Sequence, residues 1–149
     1  MRSPPADPLV NRSRLFATGK ESLGMDNILH KTITAFNCRD FSEAVRQSSE
    51  GLSFARGRDE AFWMGLLDAC EGYEHLAGNR MMKAEAKLVA SMQKLRNFGF
   101  RYNDFEVTTA LAGIRLAVEE IRAVRQEPKK IFDVSLLPQL RLAAKADIH

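Results

Sequence analysis

The sequence predicts an all-α fold of about five helices, arranged as an antiparallel hairpin array or irregular bundle. Three observations predict it. Apolar residues recur three and four apart in five separate segments. No stretch of useful length alternates apolar and polar residues as a half-buried strand would. The connections are short and carry Gly, Asn or Asp, which makes consecutive helices antiparallel neighbours.

The first helix is expected from about Asp26 to Asn37, with Asp26 as its N-cap and Ile28, Leu29, Ile33 and Phe36 on one face. Asp40 opens the second, and Glu43 three residues on completes a capping-box pattern, Asp standing for Ser or Thr. Phe41, Ala44, Val45, Ser48 and Leu52 form its stripe, and it stops near Gly57. The third runs from about Asp59 to Ala77, turning Phe62, Leu66, Ala69, Cys70, Tyr73 and Leu76 inward, with Gly78 as its stop. Asn79 caps the fourth, whose stripe is Met81, Ala84, Leu88, Met92, Leu95 and Phe98, up to Gly99. Asn103 or Asp104 starts the fifth, which buries Val107, Ala110, Leu111, Ile114, Val118 and Ile121 until Pro128 ends it. The third and fourth helices form the central hairpin about Gly78-Asn79. Leu66, Cys70, Tyr73, Leu88, Met92, Leu95 and Ile114 are expected in the core.

The chain divides into residues 1–25, a helical domain over 26–127 and an extension over 128–149. The first part has three prolines, three arginines and no helical periodicity. Arg2, Arg12, Arg14 and Lys20 against Asp7 and Glu21 give it the balance of a targeting segment, the alternative being a disordered tail. A targeting segment would place the protein in a plastid, in the stroma or peripheral to the thylakoid; otherwise it is expected in the cytoplasm. The extension carries Ile131, Phe132, Val134, Leu136, Leu137 and Leu140, too apolar to lie idle. It is expected to pack on the chain's own body rather than on a partner, because such a patch left exposed promotes aggregation.

Composition excludes several classes. With 149 residues, 45% hydrophobic and 28% charged, the chain can bury one real core and is not wholly disordered. A net charge of +3 is too mild to indicate nucleic acid by itself. Two cysteines cannot build a disulfide framework. Cys70 reads as a reduced core residue and Cys38 as a surface thiol. No apolar run approaches the roughly 20 residues that span a bilayer, so the chain is expected to be soluble, with peripheral membrane contact still open.

The segments AFNCRDFSEA (residues 35–44), FWMGLLDACEGYEHL (62–76) and LRNFGFRYNDFEV (95–107) resemble family 309 of the domains of unknown function, a TTHA-type small all-helical family. The pattern FxxGLLxxxxGxxHL and the RY-x-D segment are closest to its cyanobacterial and plastid branch, over about half of the chain. The resemblance implies a compact helical domain with a hallmark HxxxExxW on the second helix, suspected of binding a metal. His and Glu four apart share a helix face and can offer nitrogen and oxygen ligands together. Here Val45 stands at the histidine position, Ser49 at the glutamate position and Leu52 at the aromatic one. The motif is degenerate, and the resemblance does not carry a metal site onto this chain.

Asp68, Glu71 and His75 are the remaining ligand-type cluster, three and four apart on one face with Glu74 beside it. One reading is a residual carboxylate-imidazole metal site, able to serve a metal-dependent hydrolase. The other is a polar face with His75 bonded to Glu71 or packed on a neighbouring helix. The chain has no Gly-rich phosphate loop, HExxH, paired CxxC or G-x-S-x-G. No catalytic residue and no cofactor are expected.

Charge is distributed unevenly. Acids dominate the second and third helices, whereas from Gly78 to Tyr102 Arg80, Lys83, Lys87, Lys94, Arg96 and Arg101 face only Glu85. Arg80, Lys87 and Lys94 are seven apart and stack along one stripe, with Lys83 on its edge. Either the stripe is a solvated face partly neutralised by the acidic third helix, or it is a docking surface that matters for association rather than folding. The function expected is a non-catalytic protein-interaction or accessory subunit with an acidic protein partner. Its binding surface would be Arg80, Lys83, Lys87 and Lys94 together with Phe132, Leu136 and Leu137. An RNA-binding helical module is a further alternative, but Phe98 and Phe100 offer RNA only a meagre stacking platform.

Overall fold

Apolar faces at helical spacing lead to five helices among residues 24–127 and 137–142, the part of the chain described by the computed structural model. The all-α class holds. Most of the segment 1–25 lies outside the described residues, as do Pro128, Phe132 and Leu136. Helix α1 covers residues 24–37 and buries Ile28, Leu29, Ile33 and Phe36. Asp26 lies inside it, because the backbone is already helical at residue 24. The end of α1 is closed by Asp40 N–H donating to the Ala35 carbonyl and Arg39 N–H to that of Phe36, both at 2.9 Å, with Arg39 at φ 65°. This is a Schellman closure with arginine at the left-handed position usually given to glycine.

Helix α2, Phe41–Phe54, begins with the Asp40 carboxylate accepting from Glu43 N–H at 3.2 Å. The reciprocal arm of the expected box is missing, since Asp40 N–H is already bonded to Ala35. The Glu43 carboxylate turns instead to Arg46 (2.6 Å) and Gln47 (2.8 Å). Phe41, Ala44 and Ser48 are buried, Val45 and Leu52 half-buried.

Helices α3 (Arg58–Ala77) and α4 (Met81–Leu95) form the expected antiparallel hairpin. Their order of contact shows the direction. Gly65 meets Leu95 and its carbonyl accepts from Ser91 Oγ at 2.8 Å, while Gly72 meets Leu88. A Cβ on Gly65 or Gly72 would fall 2.9 and 2.7 Å from those leucines, so the two glycines set how closely the helices pack. Asn79 does not cap α4. It takes φ 63° and ends α3, with Arg80 N–H donating to the His75 carbonyl at 2.8 Å, and Arg80 is the N-cap of α4.

A short 3-10 turn, Arg96–Phe98, leads into strands β1 (Arg101–Tyr102) and β2 (Phe105–Glu106), paired antiparallel. The sequence pattern starts the fifth helix at Asn103 or Asp104. The structure corrects this: both residues have positive φ, 50° and 65°, and form the two-residue turn of a hairpin. Asn and Asp favour such turns for the same reason they favour helix caps, a short side chain that bonds locally. Helix α5 therefore begins at Val107 and runs to Gln126, burying Val107, Ala110, Ile114, Val118 and Ile121.

The core is continuous across all five helices. Phe36, Phe41 and Tyr73 pack ring against ring in one part, and Phe62 gathers Trp63, Phe98, Tyr102 and Phe105 in another. Among the residues expected inside, Met92 of α4 and Leu111 of α5 are half-buried rather than buried. Residues 137–142 lie on the body of the chain, with Leu140 buried and Leu142 bridged to Phe105. No helix among the described residues is long and apolar enough to cross a membrane.

Candidate functional site

The seam between α3 and α4 brings together most of the charged residues singled out in the sequence. Asp68, Glu71 and His75 project from α3 because their spacing holds them on one stripe. Antiparallel packing sets the α4 cations opposite them. Lys94 Nζ lies 2.5 Å from Asp68 Oδ2, Lys87 Nζ lies 2.9 Å from Glu71 Oε1 and 3.7 Å from Asp68 Oδ1. The bond to Glu71 is the main cause that raises the Lys87 pKa above the ordinary lysine value, with burial opposing. At the far end of the seam Arg80 Nε donates to His75 Nδ1 at 2.8 Å.

This arrangement decides what the cluster can do chemically. A ring nitrogen that accepts a hydrogen bond from a guanidinium cannot at once offer the same lone pair to a metal. Asp68 and His75 are two helical turns apart, about 10 Å, too far to share one ion. Among the described residues no group of three or more His, Cys, Asp or Glu could hold a metal. Val45 is half-buried and Ser49 exposed, and neither side chain carries an imidazole or a carboxylate to offer a metal.

The basic stripe divides. Lys87 and Lys94 are the internal counterparts of the acidic face of α3, and Arg80 is tied to His75. Lys83 remains exposed, with no ion pair among the described residues. Leu137 is half-buried against the core, so its side chain is not an open docking surface. On the other side of α4, Glu85 accepts from Arg122 at 2.7 Å and Arg125 at 2.5 Å of α5. Hydrogen bonding, from Arg122 first, depresses its pKa.

The thiols separate as expected. Cys70 is buried and desolvation pushes it up to about 12, with Ser48 opposing through a hydrogen bond. A thiol so shifted has no thiolate for nucleophilic work. Cys38 is exposed beside an open groove of about 580 Å³ bordered by His30, Thr34 and Gln47.

Sequence reasoning named Phe98 and Phe100 together as a meagre platform for RNA and did not foresee the hairpin beside them. Arg58 stacks over Phe98 at 4.6 Å and Tyr102 at 5.6 Å, and Tyr102 donates to Asp59. Phe98 is thereby enclosed, while Phe100 is 84% exposed, and Arg96 and Arg101, near it in sequence, are exposed too. The signal was there in the RNFGFRY run, where one aromatic faces the core and the next, beyond a glycine at φ 73°, does not. Compared with family models, with curated proteins and with solved structures, the chain matches none.

Proposed function

We propose that the chain is a non-catalytic interaction module, an accessory subunit that docks on an acidic protein surface. The observation that carries this reading is Phe100, a large aromatic held out from the fold, next in sequence to Arg101 and four residues after Arg96, both exposed and without an ion pair among the described residues. An aromatic anchor with a cationic rim is the composition of an interface centre rather than of a solvated face. The α3–α4 seam supports the same reading, since its acids are each occupied by a cation of the same chain. The degenerate hallmark motif is consistent with a member of family 309 that keeps the scaffold without the suspected metal chemistry.

The test is capture of partners from the native source by the wild-type chain and by Phe100→Ser combined with Arg96→Glu and Arg101→Glu. The variant is expected to lose captured protein at low salt, where steering is strongest, while its melting temperature stays within a few degrees of wild type. Unchanged capture by the folded variant overturns the assignment. About one equivalent of a divalent metal copurifying with the wild type and lost on His75→Ala would restore the metal reading.

A further inference from the structure

We propose that residues 137–142 fill a peptide-recognition slot as a tethered competitor, and that the slot takes an extended Leu-Pro-x-Leu segment of a partner protein. The proposal concerns a surface distinct from Phe100 and does not depend on that reading. The bonds that hold the strap are directed at its main chain. Arg39 Nη1 donates to the Pro138 carbonyl at 2.6 Å and Nη2 to the Leu137 carbonyl at 2.8 Å. The Asn37 carboxamide accepts from Leu140 N–H at 2.8 Å and donates to the Leu140 carbonyl at 3.1 Å, satisfying both polar groups of one residue as a neighbouring strand would. Glu106 N–H donates to the Arg141 carbonyl at 3.0 Å, and Leu142 bridges Phe105 antiparallel, so the strap continues the β1–β2 hairpin.

Two side chains add selectivity. The Pro138 ring lies on Gly113 of α5, where a Cβ would come within 2.7 Å of it. Leu140, two residues on, is 5% exposed in the core. Main-chain bonds for affinity and alternate side chains for specificity are the division of labour of strand-addition peptide recognition.

The slot is built by the body of the chain. Asn37 and Arg39 lie 98 to 103 residues from their strap partners, and their position is fixed by the closure of α1, whose bonds involve no strap residue. Glycine would be the least strained residue at the left-handed position of Arg39. The arginine there supplies the clamp that glycine lacks. A segment joined to its own receptor acts at an effective concentration of about millimolar, so the strap keeps out weak ligands and yields to one that binds better.

The test uses the full chain and a fluorescent synthetic peptide with the sequence of residues 135–145, followed by anisotropy. Leu140→Asp loosens the strap, and circular dichroism reports whether the body stays folded; Leu140→Ser is the milder variant if it does not. The loosened protein is expected to bind the peptide at least about tenfold more tightly than wild type, because the tethered competitor is weakened. Adding Arg39→Ala should remove that gain, and a peptide carrying Asp at the Leu140 position should not bind. A folded, loosened protein that binds no better than wild type overturns the slot, as does equal binding of the Asp-containing peptide. A wild-type dimer that forms with concentration and is lost in Arg39→Ala would assign the slot to a second copy of the chain and overturn the partner peptide.

Discussion

The hydroxyl of Tyr73 is enclosed by the core and has no hydrogen-bond partner among the described residues. Its ring meets Phe36 edge-on at 4.9 Å and stacks on Phe41 at 6.0 Å, so packing keeps it in place although its polar end is unsatisfied. Desolvation pushes the phenol pKa up. Tyr73→Phe keeps the ring contacts and removes the unpaired group, and is expected to raise stability by up to about 1 kcal/mol in urea unfolding. Lys94 presents the opposite case. Lys94→Met leaves the nearly buried Asp68 carboxylate with only Lys87 at 3.7 Å and should cost about 1–3 kcal/mol. Lys83→Met on the same helix should stay within about 0.5 kcal/mol. Sequence spacing put these lysines on one stripe and left open whether the stripe was a face partly neutralised by α3 or a docking surface. It could not show which of them would meet α3, because that depends on how α4 is rotated about its axis.

Helix interiors were legible, and helix ends only in part: Asp40 and Gly78 bound α2 and α3 as expected, while the starts of α4 and α5 differ. The inward stripe of α3, from Phe62 to Leu76, is buried at every expected position, because a 3.6-residue period leaves a long helix one way to face a core. At the ends, Asn and Asp carry three meanings. Asp40 caps α2, but Asn79 closes α3 in the left-handed region, and Asn103 and Asp104 turn a hairpin. The same short polar side chain suits all three, so composition alone does not choose among them. Asn79→Ile tests the assignment: a β-branched residue at φ 63° should cost about 1–2 kcal/mol, whereas at an ordinary N-cap position Ile would cost only a lost cap bond. Asn79→Gly separates the two, being neutral or stabilising at the left-handed position. The seam was partly legible too. Gly65 and Gly72 are the two glycines within α3, and the structure supplies their reason, contact with Leu95 and Leu88.

Across the whole molecule, α4 is bound by charge on both sides, with Lys87 and Lys94 toward α3 and Glu85 toward α5, and this predicts the shape of stability against pH. Glu85 has its pKa depressed by Arg122 and then Arg125. Glu43 is held at about 2 by Arg46 and then Gln47, but its side chain is 36% exposed and solvent screens much of its effect. Both carboxylates therefore contribute stability that is present above the ordinary value of 4.5 and lost as pH falls through the folded pKa. The basic side has the other sign. The raised pKa of Lys87 gives stability that is complete below 10.5 and lost as pH climbs through the folded value. Tyr102, pushed up to about 12 by burial and then by its bond to Asp59, favours its neutral form and fails in the same direction above 10. Melting temperature should be nearly flat from about pH 5 to pH 10 and fall on both sides. Glu85→Gln should lower the plateau slightly and flatten the acid limb, because the pair with Arg122 and Arg125 is then absent at every pH. Lys87→Met should flatten the alkaline limb and leave the acid one intact. If both substitutions merely shift the whole profile downward without changing either limb, the charges flanking α4 do not set its pH response, and apolar packing through Leu88 and Leu95 holds that helix by itself.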